Sequence, residues 1–193
     1  PTIHPEFDAF LAYAFKQNKD LQLFREFKLH TNAVVFGEAR ARRLVELANS
    51  AGGDPPCFRS IHFSIDSFSR ESYLACKGAD RREQVFQNVE RFLQIRTELG
   101  SNIPAAHLAF VVQPDNAHEA GDFLDHWQQF FSRLGKDLDV CWDWPSGSRD
   151  AVYFRPLNSG DQDASDRLHA NVCRALGIAG IGDSNRLRAA ESF

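Results

Sequence analysis

The chain has 193 residues, of which 43% are hydrophobic, 12% aromatic and 25% charged. This composition is typical of one soluble globular domain and too apolar for an intrinsically disordered chain. A net charge of -4 offers no basic surface for nucleic acid or anionic lipid. The longest apolar runs, such as residues 108–112, are far shorter than the roughly 20 residues that span a bilayer, and no secretory segment opens the chain. We therefore expect a cytoplasmic protein with neither a nucleic-acid nor a membrane partner.

Helices and strands alternate along the chain according to the spacing of its apolar residues. Helical periodicity predicts helices over residues 1–17, 38–49, a long region that ends near 100, a segment that begins at 116, and residues 165–176. Extended, β-rich runs predict strands near 27–35, 61–66, 107–113 and 138–142. Asn116 is a candidate N-cap because Glu119 follows three residues later, as in a capping box. The Gly- and Ser-rich stretch after residue 142 is interpreted as irregular.

This alternation predicts an α/β fold with parallel strands, since a parallel pair needs a long crossover connection. Four strands are few for so many helices, and the chain opens on a helix that no strand precedes. We therefore expect part of a larger barrel or sheet, with its first strand covered by more chain or by a partner. In a barrel the strands follow sequential order and the helices cover only the outer face.

Candidate ligand-binding residues follow the second predicted strand, because parallel α/β folds bind ligands beyond the carboxyl ends of their strands. Ser64 and Asp66 lie two residues apart and should point the same way, with a hydroxyl and a carboxylate suited to sugar hydroxyls. The alternative is that Asp66 or Ser67 caps the next helix and Ser64 bonds to the backbone. Lys77 lies farther along and could meet a ligand carboxylate or remain a solvated surface lysine.

Two further segments end strands in the same way. Thr31 and Asn32 could contact a ligand or simply form the turn that ends the first strand. Trp142 and Asp143, with Trp144, could form an aromatic pocket with one acid group, or the tryptophans could pack in the core.

Polar residues alternate along the second strand at His62, Ser64 and Asp66. Burying them would leave polar groups unpaired, so we expect them to line an open concave surface that Trp142 shares.

The cysteines and histidines lack the spacing of metal sites. Cys57, Cys76, Cys141 and Cys173 show no CxxC or CxxxCxxC pattern, and the seven histidines show no HxxxH or HxH pattern. We therefore expect isolated, mostly buried thiols and no metal ligand set within this chain. The absence of GxGxxG and of GxxxxGK followed by Ser or Thr excludes the common phosphate-binding loops.

Several stretches together resemble the radical S-adenosylmethionine (radical SAM) enzymes, most closely those with a C-terminal SPASM or twitch iron–sulfur region. The segment IHFSIDSFSRESY at 61–73 is similar to the family's SIDG-type strand and helix, continued by Lys77-Gly78 and 85–89. HTNA at 30–33 is similar to the family's TNG motif, with Ala33 in place of Gly. Residues 110–113, with Asn116 and Glu119, are similar to its fifth strand and the residues that follow. Residues 1–7 resemble those directly after its GGE motif.

The resemblance implies a partial (βα)6 TIM-like barrel over residues 1–145, spanning the third to sixth strands. Residues 146–193 would extend towards an auxiliary iron–sulfur region. The family's CxxxCxxC loop, which holds a 4Fe–4S cluster, and its GGE motif, which binds the methionine amino group, are not in this chain. The N-terminal strands and the cluster ligands would therefore lie outside it.

The same resemblance implies roles for the candidate residues. Ser64 would contact S-adenosylmethionine (SAM), and Asp66 would support the loop or the ribose. Lys77 stands where Arg often pairs with the methionine carboxylate, and keeps the charge without the bidentate fork. The substrate side would hold Thr31, Asn32, Trp142 and Asp143.

The function implied is that of a fragment of a radical SAM oxidoreductase. The complete enzyme would cleave SAM reductively and abstract a hydrogen from a small-molecule or peptide substrate, with peptide or protein modification as one such role and a reductant protein as partner. The isolated fragment would be inactive. The alternative is a cluster-less, barrel-like binding or scaffold protein that acts through a partner. An ordinary (βα)8 enzyme is disfavoured because no catalytic Lys or paired Glu ends a strand.

Overall fold

The computed structural model describes residues 4–53, 56–145 and 148–178. It has an α/β fold with one five-stranded parallel sheet. The strands are β1 (Phe27–Thr31), β2 (Phe58–Ser64), β3 (Ala105–Val112), β4 (Asp139–Cys141) and β5 (Ala151–Pro156). The predictions for residues 1–3 and for the extension beyond 178 lie outside the described residues.

The strand order is β1-β2-β3-β5-β4, so the predicted sequential order of four strands is wrong. Strand β5, in the stretch interpreted as irregular, lies between β3 and β4. Its first four residues, Ala151 to Phe154, are buried, whereas all three residues of β4 are half-buried. The longer apolar strand therefore takes the interior position and pairs with β3 over six residues, while the three-residue β4 lies at the edge.

Six α-helices connect and follow the strands within the described residues. They are α1 (Phe7–Leu21), α2 (Glu38–Ala51), α3 (Arg70–Lys77), α4 (Arg82–Glu98), α5 (Ala120–Arg133) and α6 (Gln162–Ala175), with a short 3-10 helix at Ala117–Glu119 before α5. The long helical region is divided because Gly78 adopts a left-handed conformation, with φ of 71°, and ends α3. No helix among the described residues combines the length and the apolar character that crossing a membrane requires.

The helices pack against one face of the sheet. All six contribute to a single hydrophobic cluster that includes strand residues such as Leu29, Ile61 and Phe110. The buried apolar residues of the other face, Tyr153 among them, do not belong to this cluster. Successive strand residues point to opposite faces, and the helix-free face carries polar and aromatic side chains. The expected one-sided helix layer is therefore found in the described part of the chain.

Candidate functional site

Ser64, Asp66 and Lys77 converge at the carboxyl end of β2. The Ser64 hydroxyl donates to Asp66 Oδ2 at 2.8 Å. The Lys77 ammonium, at the end of α3, forms an ion pair with the same oxygen and lies 3.3 Å from Ser64 Oγ. The Asp66 side chain is 5% exposed and that of Lys77 is 25% exposed. The lysine therefore meets a carboxylate, but one that belongs to the protein.

Asp66 also joins the ends of β2 and β3. Its Oδ1 accepts from the Val111 amide at 2.9 Å, its own amide donates to Ala109 O at 3.1 Å, and its carbonyl accepts from the Asn116 side chain at 2.6 Å. Asp66 has a φ of 63°, in the left-handed region that Asp tolerates better than most residues. Helix α3 is capped by Ser69, so the alternative in which Asp66 or its neighbour caps that helix is wrong.

The predicted capping box of Asn116 and Glu119 does not form. Asn116 makes no side-chain capping bond. The Glu119 carboxylate instead accepts from the amides of Phe68 and Ser69, at 2.9 and 3.1 Å, and from the Ser72 hydroxyl. Burial raises the pKa of Glu119, but these hydrogen bonds to the ionised form outweigh burial and leave the pKa below its ordinary value. Both side chains therefore link the loop after β3 to the loop after β2.

Thr31 and Asn32 form the turn after β1. Thr31 is buried and its hydroxyl oxygen accepts from the Ala33 amide at 3.1 Å, while the exposed Asn32 accepts from the Val34 amide at 3.3 Å. Both side chains therefore make the local turn contacts that were the alternative to ligand binding. Ala33 has a φ of 60°, a left-handed conformation that favours glycine.

Trp142 packs against the hydrophobic cluster on the helix side of the sheet. It is two residues beyond Val140, which belongs to the same side, because alternate residues of an extended chain share a face. The prediction that Trp142 lines a surface with His62 is therefore wrong. Asp143 is half-buried and its Oδ1 accepts from the Trp144 amide at 2.8 Å.

Trp144, not Trp142, lies against the helix-free face, over a row of histidines. His30, His62 and His107 occupy in-register positions on β1, β2 and β3. The rings of His30 and His62 stack with centroids 4.3 Å apart, and the His107 ring meets His62 edge-on at 4.5 Å. The Trp144 ring lies 5.3 Å from His62. His62 is only 3% exposed, so the prediction that it lines an open surface is also wrong.

The burial of His62 and His107 is tolerated because their ring nitrogens have hydrogen-bonding partners. His62 Nε2 contacts Ser60 Oγ at 3.2 Å and His107 Nδ1 at 3.1 Å, while His62 Nδ1 contacts the Tyr153 hydroxyl at 3.2 Å. His107 Nε2 lies 3.1 Å from the carbonyl oxygen of Arg149. Burial is the main cause that lowers the pKa of His62 to about 3 and that of His107 to about 4, and the charge of Lys28 contributes to both values. Both rings are therefore neutral near pH 7.

The sequence did contain a signal for this row. Each of the three histidines directly follows an apolar residue within a predicted strand, in LHT, IHF and AHL. A histidine in each of three predicted strands was visible in the sequence, but their register was not. Tyr153 could not be found in this way because its strand was interpreted as irregular.

Within the described ranges, no group of three or more His, Cys, Asp or Glu side chains is arranged to hold a metal ion. The four cysteines are unpaired, and burial raises the pKa of each thiol, which disfavours the thiolate that binds metal. These residues do not fit an iron–sulfur cluster.

Comparisons with protein-family models and with curated protein sequences found no match to this chain.

Proposed function

We propose that this chain is part of a radical SAM oxidoreductase and forms one side of its cofactor pocket. The observation that carries the proposal is the convergence of Ser64, Asp66 and Lys77 at the carboxyl end of β2. These residues are 13 positions apart at most, and only the fold brings them together. Their place is the edge at which parallel α/β folds bind ligands.

The sheet supports the barrel part of this proposal. The four longer strands, β1, β2, β3 and β5, neighbour one another in chain order, as consecutive barrel strands do. The helices lie on one face, as they do outside a barrel. The turn after β1 adds support, because Ala33 takes the left-handed conformation at the position where the resemblance has glycine.

Each side chain would have a defined task towards SAM. Ser64 is half-buried and Lys77 partly exposed, so the hydroxyl and the ammonium can reach a ligand from the edge of the sheet. Lys77 would pair with the methionine carboxylate and Ser64 would hydrogen-bond to the cofactor. Buried Asp66 orients both. SAM held by these residues together with an iron–sulfur cluster would supply the chemistry for hydrogen abstraction from a substrate, and the ligands of that cluster would lie outside the described residues.

The substrate, a small molecule or a peptide, would approach along the same edge. Asn32 and Asp143 are the candidates for its polar contacts, since Asn32 is exposed and Asp143 half-buried beside Trp144. A reductant protein would deliver the electron that cofactor cleavage consumes.

One observation favours the second candidate function, a cluster-less binding or scaffold protein. Ser64, Asp66 and Lys77 already satisfy one another, so the group is complete as a structural link between β2 and α3. In a scaffold protein it would need no ligand.

Anaerobic reconstitution of the full gene product with iron and sulfide separates the two functions. Reduction in the presence of SAM should release 5′-deoxyadenosine from a radical SAM enzyme. Ser64→Ala should weaken SAM binding by roughly 1–2 kcal/mol, the scale of one buried hydrogen bond. Ser60→Ala is the matched control, because it removes a hydroxyl from the same strand away from its carboxyl end.

Absence of 5′-deoxyadenosine from protein whose 4Fe–4S cluster is verified by Mössbauer spectroscopy would support the scaffold function. Equal SAM affinity of the Ser64→Ala and Ser60→Ala variants would remove Ser64 from the binding site.

A further inference from the structure

The hydrogen bonds of the histidine row have a defined direction. The carbonyl oxygen of Arg149 can only accept, so His107 Nε2 carries the proton of that contact. In a neutral ring His107 Nδ1 is then an acceptor, and its partner His62 Nε2 must donate to it. His62 Nδ1 is therefore an acceptor as well, and the Tyr153 hydroxyl donates to it. The phenol proton of Tyr153 points at an unprotonated imidazole nitrogen.

Tyr153 keeps this proton under ordinary conditions. Its ring is 2% exposed, and burial raises the pKa of its phenol, as does the nearby charge of Asp66. Deprotonation would create a buried phenolate beside a carboxylate. Loss of an electron from Tyr153 reverses its preference for keeping the proton, because an oxidised phenol is a far stronger acid than imidazolium.

An aromatic path leads from Tyr153 to the surface. The Trp144 ring lies 5.2 Å from the Tyr153 ring at an interplanar angle of 34°, and Trp144 is 46% exposed. The Arg155 guanidinium lies 4.9 Å from the centre of the Trp144 ring. A positive charge there disfavours a tryptophan radical cation. When Trp144 is oxidised, an electron therefore moves to it from Tyr153.

We propose that Tyr153 is a redox-active tyrosine that loses an electron through Trp144 and passes its phenol proton to His62. The oxidant is an oxygen-centred radical that reaches exposed Trp144 and is reduced by one electron to its anion. The Tyr153 O–H bond breaks, an N–H bond forms at His62 Nδ1, and a neutral tyrosyl radical remains. Re-reduction by one electron returns the proton to the phenol.

The positive charge formed on His62 is shared along the row. His62 Nε2 can pass its proton to His107 Nδ1 over 3.1 Å, which restores a neutral His62. This chemistry goes beyond the proposed function and needs neither SAM nor an iron–sulfur cluster.

The chain contains three tyrosines, so substitutions can assign a tyrosyl radical to one of them. Tyr13 is 65% exposed and would react with any oxidant directly, whereas Tyr73 is buried in the hydrophobic cluster on the other side of the sheet. A Tyr13→Phe protein therefore presents two buried tyrosines, of which only Tyr153 has this aromatic path and histidine acceptor within the described part of the chain.

The experiment oxidises the Tyr13→Phe protein with photogenerated tris(bipyridine)ruthenium(III) and records the tyrosyl radical by freeze-quench EPR. We expect a neutral tyrosyl signal that forms more slowly in D2O than in H2O. Adding Tyr153→Phe should abolish the signal, and adding Tyr73→Phe should leave it unchanged. Adding Trp144→Phe should slow its formation severalfold, with Trp142→Phe as the matched control.

A tyrosyl signal that survives Tyr153→Phe, or one that forms at an unchanged rate without Trp144, would overturn the proposal. Should Tyr153→Phe prevent folding, electron–nuclear double resonance on the Tyr13→Phe protein labelled with 15N-histidine replaces that variant. A radical without coupling to a histidine nitrogen would then refute the transfer to His62.

Discussion

Substitutions at Asp66 separate the contributions of its charge, its hydrogen bond and its backbone conformation to stability. Asp66→Asn keeps an oxygen for the Val111 amide and tolerates a positive φ, but loses the ion pair with Lys77. A quarter of the Lys77 side chain is exposed, so solvent screens part of that loss. We expect the free energy of unfolding to fall by about 1–2 kcal/mol.

Asp66→Gly and Asp66→Ala should lower the free energy of unfolding more than Asp66→Asn does, because both also leave the Val111 amide without the carboxylate that accepts from it. A buried unsatisfied donor costs about 1–3 kcal/mol, and the Val111 amide, which is partly buried, should cost less than the upper end of this range. Alanine must in addition adopt the φ of 63°, which costs an L-residue about 1–2 kcal/mol. Glycine adopts it freely but loses about 0.5–1 kcal/mol to backbone entropy. The expected order of stability is therefore Asn, then Gly, then Ala.

Urea unfolding followed by circular dichroism measures these differences, provided that the slope with denaturant stays constant. Asp115→Asn is the matched control, since this exposed residue lies in the loop after the next strand and should change stability by less than about 0.5 kcal/mol. An Ala variant as stable as the Gly variant would refute the backbone argument. An Asn variant as unstable as Ala would refute the role of the Val111 hydrogen bond.

Three more predictions concern the buried polar groups. Stability should be full above pH 6.5 and fall as the pH drops to 5, because His62 and His107 bind protons near 6.5 when unfolded but only near 3 and 4 when folded. The slope is up to about 1.4 kcal/mol per pH unit for each histidine, and a flat profile in urea unfolding would contradict it. Asp150→Asn should cost about 3–5 kcal/mol, because it leaves Arg96, only 1% exposed and held by two bonds of 2.7 and 2.6 Å, without its carboxylate. Adding Arg96→Met should recover part of this loss in the same assay. Glu119→Ala should speed hydrogen exchange at the amides of Phe68 and Ser69, directly before α3, because Glu119 accepts from both. An unchanged exchange rate at these amides would show that Glu119 is not needed to hold this segment.

The positions of most elements followed from local patterns. The apolar stripes of α2, α4 and α5 and the β-rich runs of β1 to β4 are visible in the sequence, since each depends on residues within one or two turns. Strand β5 was missed because six residues that follow a Gly- and Ser-rich stretch show no long periodic pattern. Its identity as a strand comes from pairing with β3, a contact between residues more than 40 positions apart.

The candidate site was likewise predictable only in part. The sequence placed Ser64 and Asp66 together because they lie two residues apart, and the resemblance added Lys77; the structure brings the three side chains into contact. Their role in binding a ligand stays a prediction. Their hydrogen bonds to one another were not predictable, and neither was the use of Asn116 and Glu119 as links between loops instead of caps. Asn116 and Glu119 follow β3, whereas their partners lie in the loop after β2, some 50 positions earlier in the chain.

The sequence by itself therefore determined the fold class, the parallel direction of the strands and the edge at which polar residues collect, since hydrophobic period and crossover length decide these features. Only the tertiary structure decided which strand lies in the middle of the sheet, which tryptophan covers the helix-free face and which partners the histidine nitrogens contact. These depend on the register between distant strands. Trp142 packs on the helix side and Trp144, two residues later, lies on the opposite face, because the chain is no longer a strand after Cys141. Three histidines scattered over 78 positions became one row because hydrogen bonds between backbones aligned them.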